Sequence, residues 1–131
     1  MKLLKFVWIA VIAVACSSTS TEAQDYSRID NAKLEELLQD PDLQLVDVRT
    51  PEEVKAGYIA GAAHIDIYDP KFIDKVSKLD KTKPVAVYCA VGGRSANAVR
   101  KLQELGFTQV YDLAEGYRGW ARAGKPINKD Q

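Results

Sequence analysis

Residues 89–95 read Cys-Ala-Val-Gly-Gly-Arg-Ser: one cysteine, two glycines, then an arginine and a serine. The run "PVAVY" precedes them and "ANAVRKLQEL" follows, so the seven residues join a strand-like segment to a helix-like one. Unpaired backbone N–H groups gather where a loop enters a helix, and the helix dipole favours negative charge there. Gly92 and Gly93 let the backbone curl with its amides inward, because glycine tolerates conformations that side chains forbid. A cysteine at the mouth of that curl has its thiolate stabilised by the same amides and by a nearby cation. Arg94 adds a forked donor suited to an oxyanion. Cys89, Ala90, Val91, Gly92, Gly93, Arg94 and Ser95 therefore describe a nucleophilic cysteine inside an anion cradle.

The elements that must hold this loop alternate. "NAKLEELLQD" carries Leu34, Leu37 and Leu38 at helical spacing, with Asp30 or Asn31 as cap. Residues 43–48 form a short β-rich run, and "TPEEVKAGY" a helix capped by Thr50, with Pro51 at its first position. "AAHIDI" reads as a short strand, "KFIDKVSKL" as a helix and residues 84–88 as a buried strand. "SANAVRKLQEL" places Ala98, Val99, Leu102 and Leu105 on one helical face. "QVYDL" is strand-like and "GYRGWARAG" a last short helix. Strands separated by helices imply an α/β fold with a parallel sheet covered on both faces. Asp47 and Arg49 then fall at the carboxyl end of a strand, on the edge where such sheets bind ligands. Bracing the loop is the role their opposite charges favour. His64, the only histidine, reads as structural or exposed, and Tyr117 and Trp120 as packing residues.

The first residues differ in kind. A short basic start, the ten-residue apolar run "FVWIAVIAVA" and a small-residue exit form a secretory signal peptide over 1–15. Ten apolar residues are too few to span a bilayer. Ala13-Val14-Ala15 suits signal cleavage, while "AVAC" resembles a bacterial lipoprotein signal in which Cys16 is lipidated; both routes remain open. Residues 16–28 then form a Ser/Thr-rich tether and 29–131 the domain. Export to the periplasm, free or membrane-anchored through Cys16, is the expected location. Cys89 is left as the domain's lone thiol, worth flagging as reactive in a compartment where cysteines commonly pair. Eighteen basic residues balance eighteen acidic ones, so nothing points to a nucleic-acid partner.

With these residues in view, the domain resembles a single-domain rhodanese, a sulfurtransferase. Residues 89–95 match the C-x-x-G-x-R-S catalytic loop of that family. Upstream, "LVDVRTPEEVKAGYIAGAAHI" is similar to its first signature, with Asp47, Arg49, Glu53, Gly57, Ile59, Gly61 and Ala62 in matching places. Downstream, "YDLAEGYRGWARAGKPI" is similar to its C-terminal segment. Tyr58 and Ala60 depart from the family's usual His and Pro. The resemblance implies a three-layer rhodanese-like fold with a mostly parallel sheet and helices on both faces. It also implies that Cys89 takes a sulfane sulfur from thiosulfate or a like anion and passes it to cyanide or a thiol, with no metal or organic cofactor. Arg94 has two roles open to it: steadying the donor anion while orienting the loop, or pairing with one of the domain's own carboxylates.

Two other functions compete. One is a persulfide carrier or redox-sensing module without efficient turnover. The other is a phosphatase or arsenate reductase on a related fold, which uses Cys-x5-Arg; only four residues separate Cys89 from Arg94.

Overall fold

The computed structural model describes residues 25–129, and its central strand is β5 (Val85–Tyr88). Successive strand side chains point to opposite faces, so Val85, Val87 and Cys89 enter one core layer while Ala86 and Tyr88 enter the other. All of them are buried, as a strand covered on both faces requires.

Around it the chain runs β1 (Asp25–Ile29), α1 (Asn31–Leu37), β2 (Gln44–Asp47), α2 (Pro51–Ala56), β3 (Tyr58–Ile59), β4 (Ala63–His64) and α3 (Phe72–Val76). After β5 come α4 (Gly93–Glu104), β6 (Gln109–Leu113), α5 (Gly116–Arg122) and β7 (Ile127–Asn128). Five strands form a wholly parallel sheet in the order β1-β6-β5-β2-β4. β3 and β7 pair antiparallel beside it.

One core layer joins Val46, Val48, Val85 and Val87 to Phe72 and Val76 of α3 and to Ala98, Val99 and Leu102 of α4. The other joins Leu45, Ala86, Tyr88 and Leu113 to Leu34 of α1 and Trp120 of α5. Trp120 is buried whole, and its indole N–H donates to the Pro126 carbonyl at 2.9 Å, so its burial leaves no polar group unpaired. The three-layer α/β architecture is the one expected.

The helix starts follow local rules. Asp30 accepts from the Lys33 amide at 2.8 Å and caps α1. Thr50 and Glu53 form a capping box on α2, with Pro51 at its start.

Three features differ from the sequence expectation. The strand β1 begins at Asp25 and pairs with β6 along its whole length, so the last residues of the expected tether belong to the sheet. Its sequence, "DYSRI", is polar except at its end and does not stand out from the Ser/Thr-rich run before it. The helix expected over "KFIDKVSKL" closes at Val76, where the Ser77 hydroxyl donates back to the Ile73 carbonyl and the chain turns. Two-residue strands such as β3 and β7 are too short to show a period. The signal segment 1–15 and Cys16 lie outside the described residues.

Candidate active site

The loop after β5 begins with the cysteine itself. Cys89 is buried, and its Sγ accepts a hydrogen bond from the Gly92 amide at 3.0 Å. The Cys89 thiol donates to the Ser95 hydroxyl oxygen at 3.5 Å, and that hydroxyl donates to the Gly92 carbonyl at 3.1 Å; once the thiol ionises, the hydroxyl can turn its proton to the sulfur. Burial pushes the thiol pKa up, as it does for any group that ionises to an anion. The Ser95 hydroxyl and the amides of Ser95, Gly92 and Val91 outweigh that effect, and the net shift is downward. The Cys89 thiolate is therefore stabilised first by the Ser95 hydroxyl and then by the backbone amides at the entrance to α4.

Gly92 makes this curl possible. Its φ of 105° is left-handed, and a Cβ there would come within 2.8 Å of Arg28 Nη2 and 2.9 Å of the Ala114 carbonyl oxygen. Behind the loop, the first turn of α5 clamps its backbone. The Tyr117 amide donates to the Cys89 carbonyl at 2.8 Å and the Arg118 amide to the Ala90 carbonyl at 3.1 Å. At Gly116 a Cβ would meet both carbonyl oxygens at 2.5–2.6 Å, so α5 can approach this closely only without a side chain. Ala90 is buried under this clamp, while Val91 stands 61% exposed at the rim. Gly93 opens α4.

Arg94 turns away to a carboxylate. Its Nη1 and Nη2 each lie 2.7 Å from an oxygen of Glu53, a bidentate pair across 41 residues of sequence. Glu53 also accepts from the Thr50 amide at 3.0 Å and hydroxyl at 2.9 Å. The Arg94 guanidinium, with the Thr50 bonds behind it, pulls the Glu53 pKa down to about 2, and Glu53 raises that of Arg94 in turn. Of the two roles open to Arg94, pairing with a carboxylate is the one the structure contains.

Asp47 and Arg49 come together beside the loop and not in it. Arg49 Nε and Nη2 donate to Asp47 at 3.0 and 2.7 Å, and Nη2 also donates to the Gly57 carbonyl at 2.7 Å. The guanidinium lies 4.1 Å from the centre of the Tyr117 ring, a cation–π contact. Both charged side chains are almost wholly buried. The neighbouring Tyr88 hydroxyl accepts from the Ile59 amide at 3.0 Å. Burial, with the Asp47 charge beside it, holds the Tyr88 phenol far above its usual pKa. His64 is exposed, with Nε2 2.7 Å from the Arg49 carbonyl oxygen. The pair ties β2 to Gly57 at the end of α2 and to Tyr117 of α5.

Several contributors are not evident in the sequence. Arg28, inside the expected tether, reaches Gly92 and lies 3.6 Å from the buried Asp112 carboxylate. Tyr117 and Arg118 support the loop through their amides, which no side-chain motif reveals. Glu53 sits within the first signature, but nothing in the one-dimensional order joins it to Arg94.

A thiol cupped by loop amides at the carboxyl end of a parallel sheet defines a class that comparison with known proteins identifies. Residues 30–123 match the Rhodanese-like domain family, and the chain belongs to that family. A sulfurtransferase of Allochromatium vinosum is 35% identical over 102 residues, covering 77% of this chain and 94% of that protein. The thiosulfate sulfurtransferase GlpE of Coxiella burnetii is 35% identical over 95 residues, covering 72% and 87%. Among solved structures, the polysulfide-sulfur transferase homodimer of Wolinella succinogenes superposes with a TM-score of 0.70 at 31% identity, covering 84% of this chain and 83% of that one. A rhodanese-related protein of Thermoplasma volcanium gives 0.66 at 32%, covering 80% and 100%. Sulfur transfer is the activity these relatives support at the level of the family.

Proposed function

We propose that this protein moves a sulfane sulfur from thiosulfate, or a similar anionic donor, to cyanide or a thiol through a persulfide on Cys89. The observation that carries the reading is the thiol itself, buried yet held by the Gly92 amide and the Ser95 hydroxyl. Cys89 thiolate attacks the outer sulfur of thiosulfate; the S–S bond of the donor breaks and sulfite leaves with the electron pair. The terminal persulfide sulfur carries the negative charge into the ring of amides, which stabilise it without rearranging. A cyanide or thiolate then attacks that outer sulfur, and Cys89 thiolate leaves.

Two experiments test this. Incubation with thiosulfate, followed by mass spectrometry of the intact protein, should add one sulfur atom at Cys89. Cys89→Ser should keep the fold but abolish both the mass gain and turnover; persistence of either removes the nucleophile from Cys89. Hydrolysis of an aryl phosphate should be negligible. The loop has only four residues between Cys89 and Arg94, and phosphoryl transfer depends on donors to three equatorial oxygens. With the Arg94 donors held by Glu53, that requirement is harder still to meet. Efficient phosphatase turnover dependent on Cys89 would promote that function over sulfur transfer.

The export reading rests on the sequence of residues 1–16. Cys16→Ser should move the protein from membrane to soluble fraction if lipid anchors it, since two or more acyl chains bind stably. Material recovered from the native host with Met1 intact would defeat export.

A further inference from the structure

A cavity of about 370 Å³ lies against the catalytic loop on the α5 side, lined by Val91, Glu115, Arg118, Gly119 and Arg122. It shares Val91 with the loop whose amides hold the Cys89 sulfur. Glu115, Arg118 and Arg122 follow one another at helical spacing along one face of α5, spanning about 10 Å at 1.5 Å per residue. All three are exposed, and none takes part in an ion pair among the described residues.

The contrast across the loop is one of charge. On the β2 side, Arg94 is neutralised by Glu53. On the β6 side, two guanidinium groups four residues apart have no carboxylate paired with them among the described residues, and like charges at that spacing slightly destabilise a helix. A 370 Å³ space is far larger than thiosulfate or cyanide needs, and its lining meets the catalytic loop at Val91.

Resting on the sulfur-transfer reading above, we propose that this cavity is the acceptor subsite and takes a small thiol bearing carboxylates. The acceptor's carboxylates bond Arg118 and Arg122, and its sulfur reaches over Val91 to Cys89. The acceptor thiolate attacks the outer sulfur of the Cys89 persulfide. A new S–S bond forms, the Cys89–sulfur bond breaks, and Cys89 departs as thiolate with the electron pair. The acceptor leaves as its own persulfide.

The test compares acceptors on the full domain with thiosulfate as donor. For Arg118→Gln/Arg122→Gln, KM for glutathione should rise about tenfold, the equivalent of losing one charge-assisted hydrogen bond. The clamp on Ala90 uses the main-chain amide of residue 118, which these substitutions keep, so KM for 2-mercaptoethanol and turnover with cyanide should stay within about twofold, and Arg118→Lys/Arg122→Lys should recover part of the loss. The thermal midpoint should be unchanged or slightly raised. An unchanged KM for glutathione, or an equal rise for 2-mercaptoethanol, overturns the subsite while leaving sulfur transfer intact. Failure of thiosulfate to load Cys89 in the unmodified protein overturns the reading on which the subsite rests.

Discussion

Two arginine–carboxylate pairs flank the same thiol, and their bond lengths are alike. Arg49 meets Asp47 at 2.7 Å and Arg94 meets Glu53 at 2.7 Å. Burial separates them. The Asp47–Arg49 side chains are 1% and 3% exposed, those of Glu53 and Arg94 33% and 24%. Water screens the second pair and leaves the first in a low dielectric, where an uncompensated charge is costly. The lesson is that the inner pair belongs to the scaffold and the outer one to the loop, although both stand in the sequence signatures that suggest chemistry.

Breaking the inner pair should have the largest effect. Arg49→Gln leaves the Asp47 carboxylate buried without its cation and removes the guanidinium from the Gly57 carbonyl and the Tyr117 ring. Loss of one partner of a buried pair typically costs about 3–5 kcal/mol, to be read from urea unfolding. Arg49→Gln combined with Asp47→Asn should be less destabilised than Arg49→Gln alone. If the double variant is worse, the desolvation argument for this pair is wrong.

Breaking the outer pair should cost about 1 kcal/mol or less, the range for pairs open to solvent, and its signature is in the pH dependence. The carboxyl of Glu53 ordinarily titrates near 4.5 and is held near 2 in the folded protein. Its contribution is present in full above about pH 4.5 and is lost as pH falls toward 2. Glu53→Gln should flatten the acid limb of stability across that window and leave the slope above it unchanged. It also frees Arg94, so donor affinity should change where that of Arg49→Gln, corrected for folding, does not. An acid limb identical to that of the unmodified protein would show that the pair carries no linkage.

The smallest effect belongs to the thiol that both pairs enclose. Ser95→Ala removes the first of the contributions that lower the Cys89 pKa. The pH midpoint of iodoacetamide alkylation should move upward while the amides keep it below that of an unassisted buried thiol. A downward move would contradict the assignment of the hydroxyl as a stabiliser of the thiolate.

Much of this scaffold is legible in one dimension. β2, β5 and β6 follow from apolar runs, and α1, α2 and α4 from caps and helical spacing. Cys89, Gly92 and Ser95 are legible as a site because strand, glycine and helix start have a local chemistry that proximity in sequence preserves. What escapes is made by tertiary contact. Arg28 touches Gly92 across 64 residues because β1 pairs with β6, and a polar strand has no periodic signature. The clamp from Tyr117 and Arg118 uses main-chain amides, which every non-proline residue carries. The choice between the two roles of Arg94 turns on where Glu53 lands, and that depends on β2 lying beside β5.

The pairing of Asp25 with Gln109 sets a schedule as well as a shape. A sheet whose first strand must wait for its sixth is built from distant partners, and such contacts form slowly because the intervening chain must first be closed into a loop. The clamp on Cys89 comes from residues 116–118, later still in synthesis. An emerging chain therefore displays its cysteine well before the clamp that fixes the loop around it is in place. The thiol acquires its full reactivity at the end of folding, when the walls that guard it have also closed.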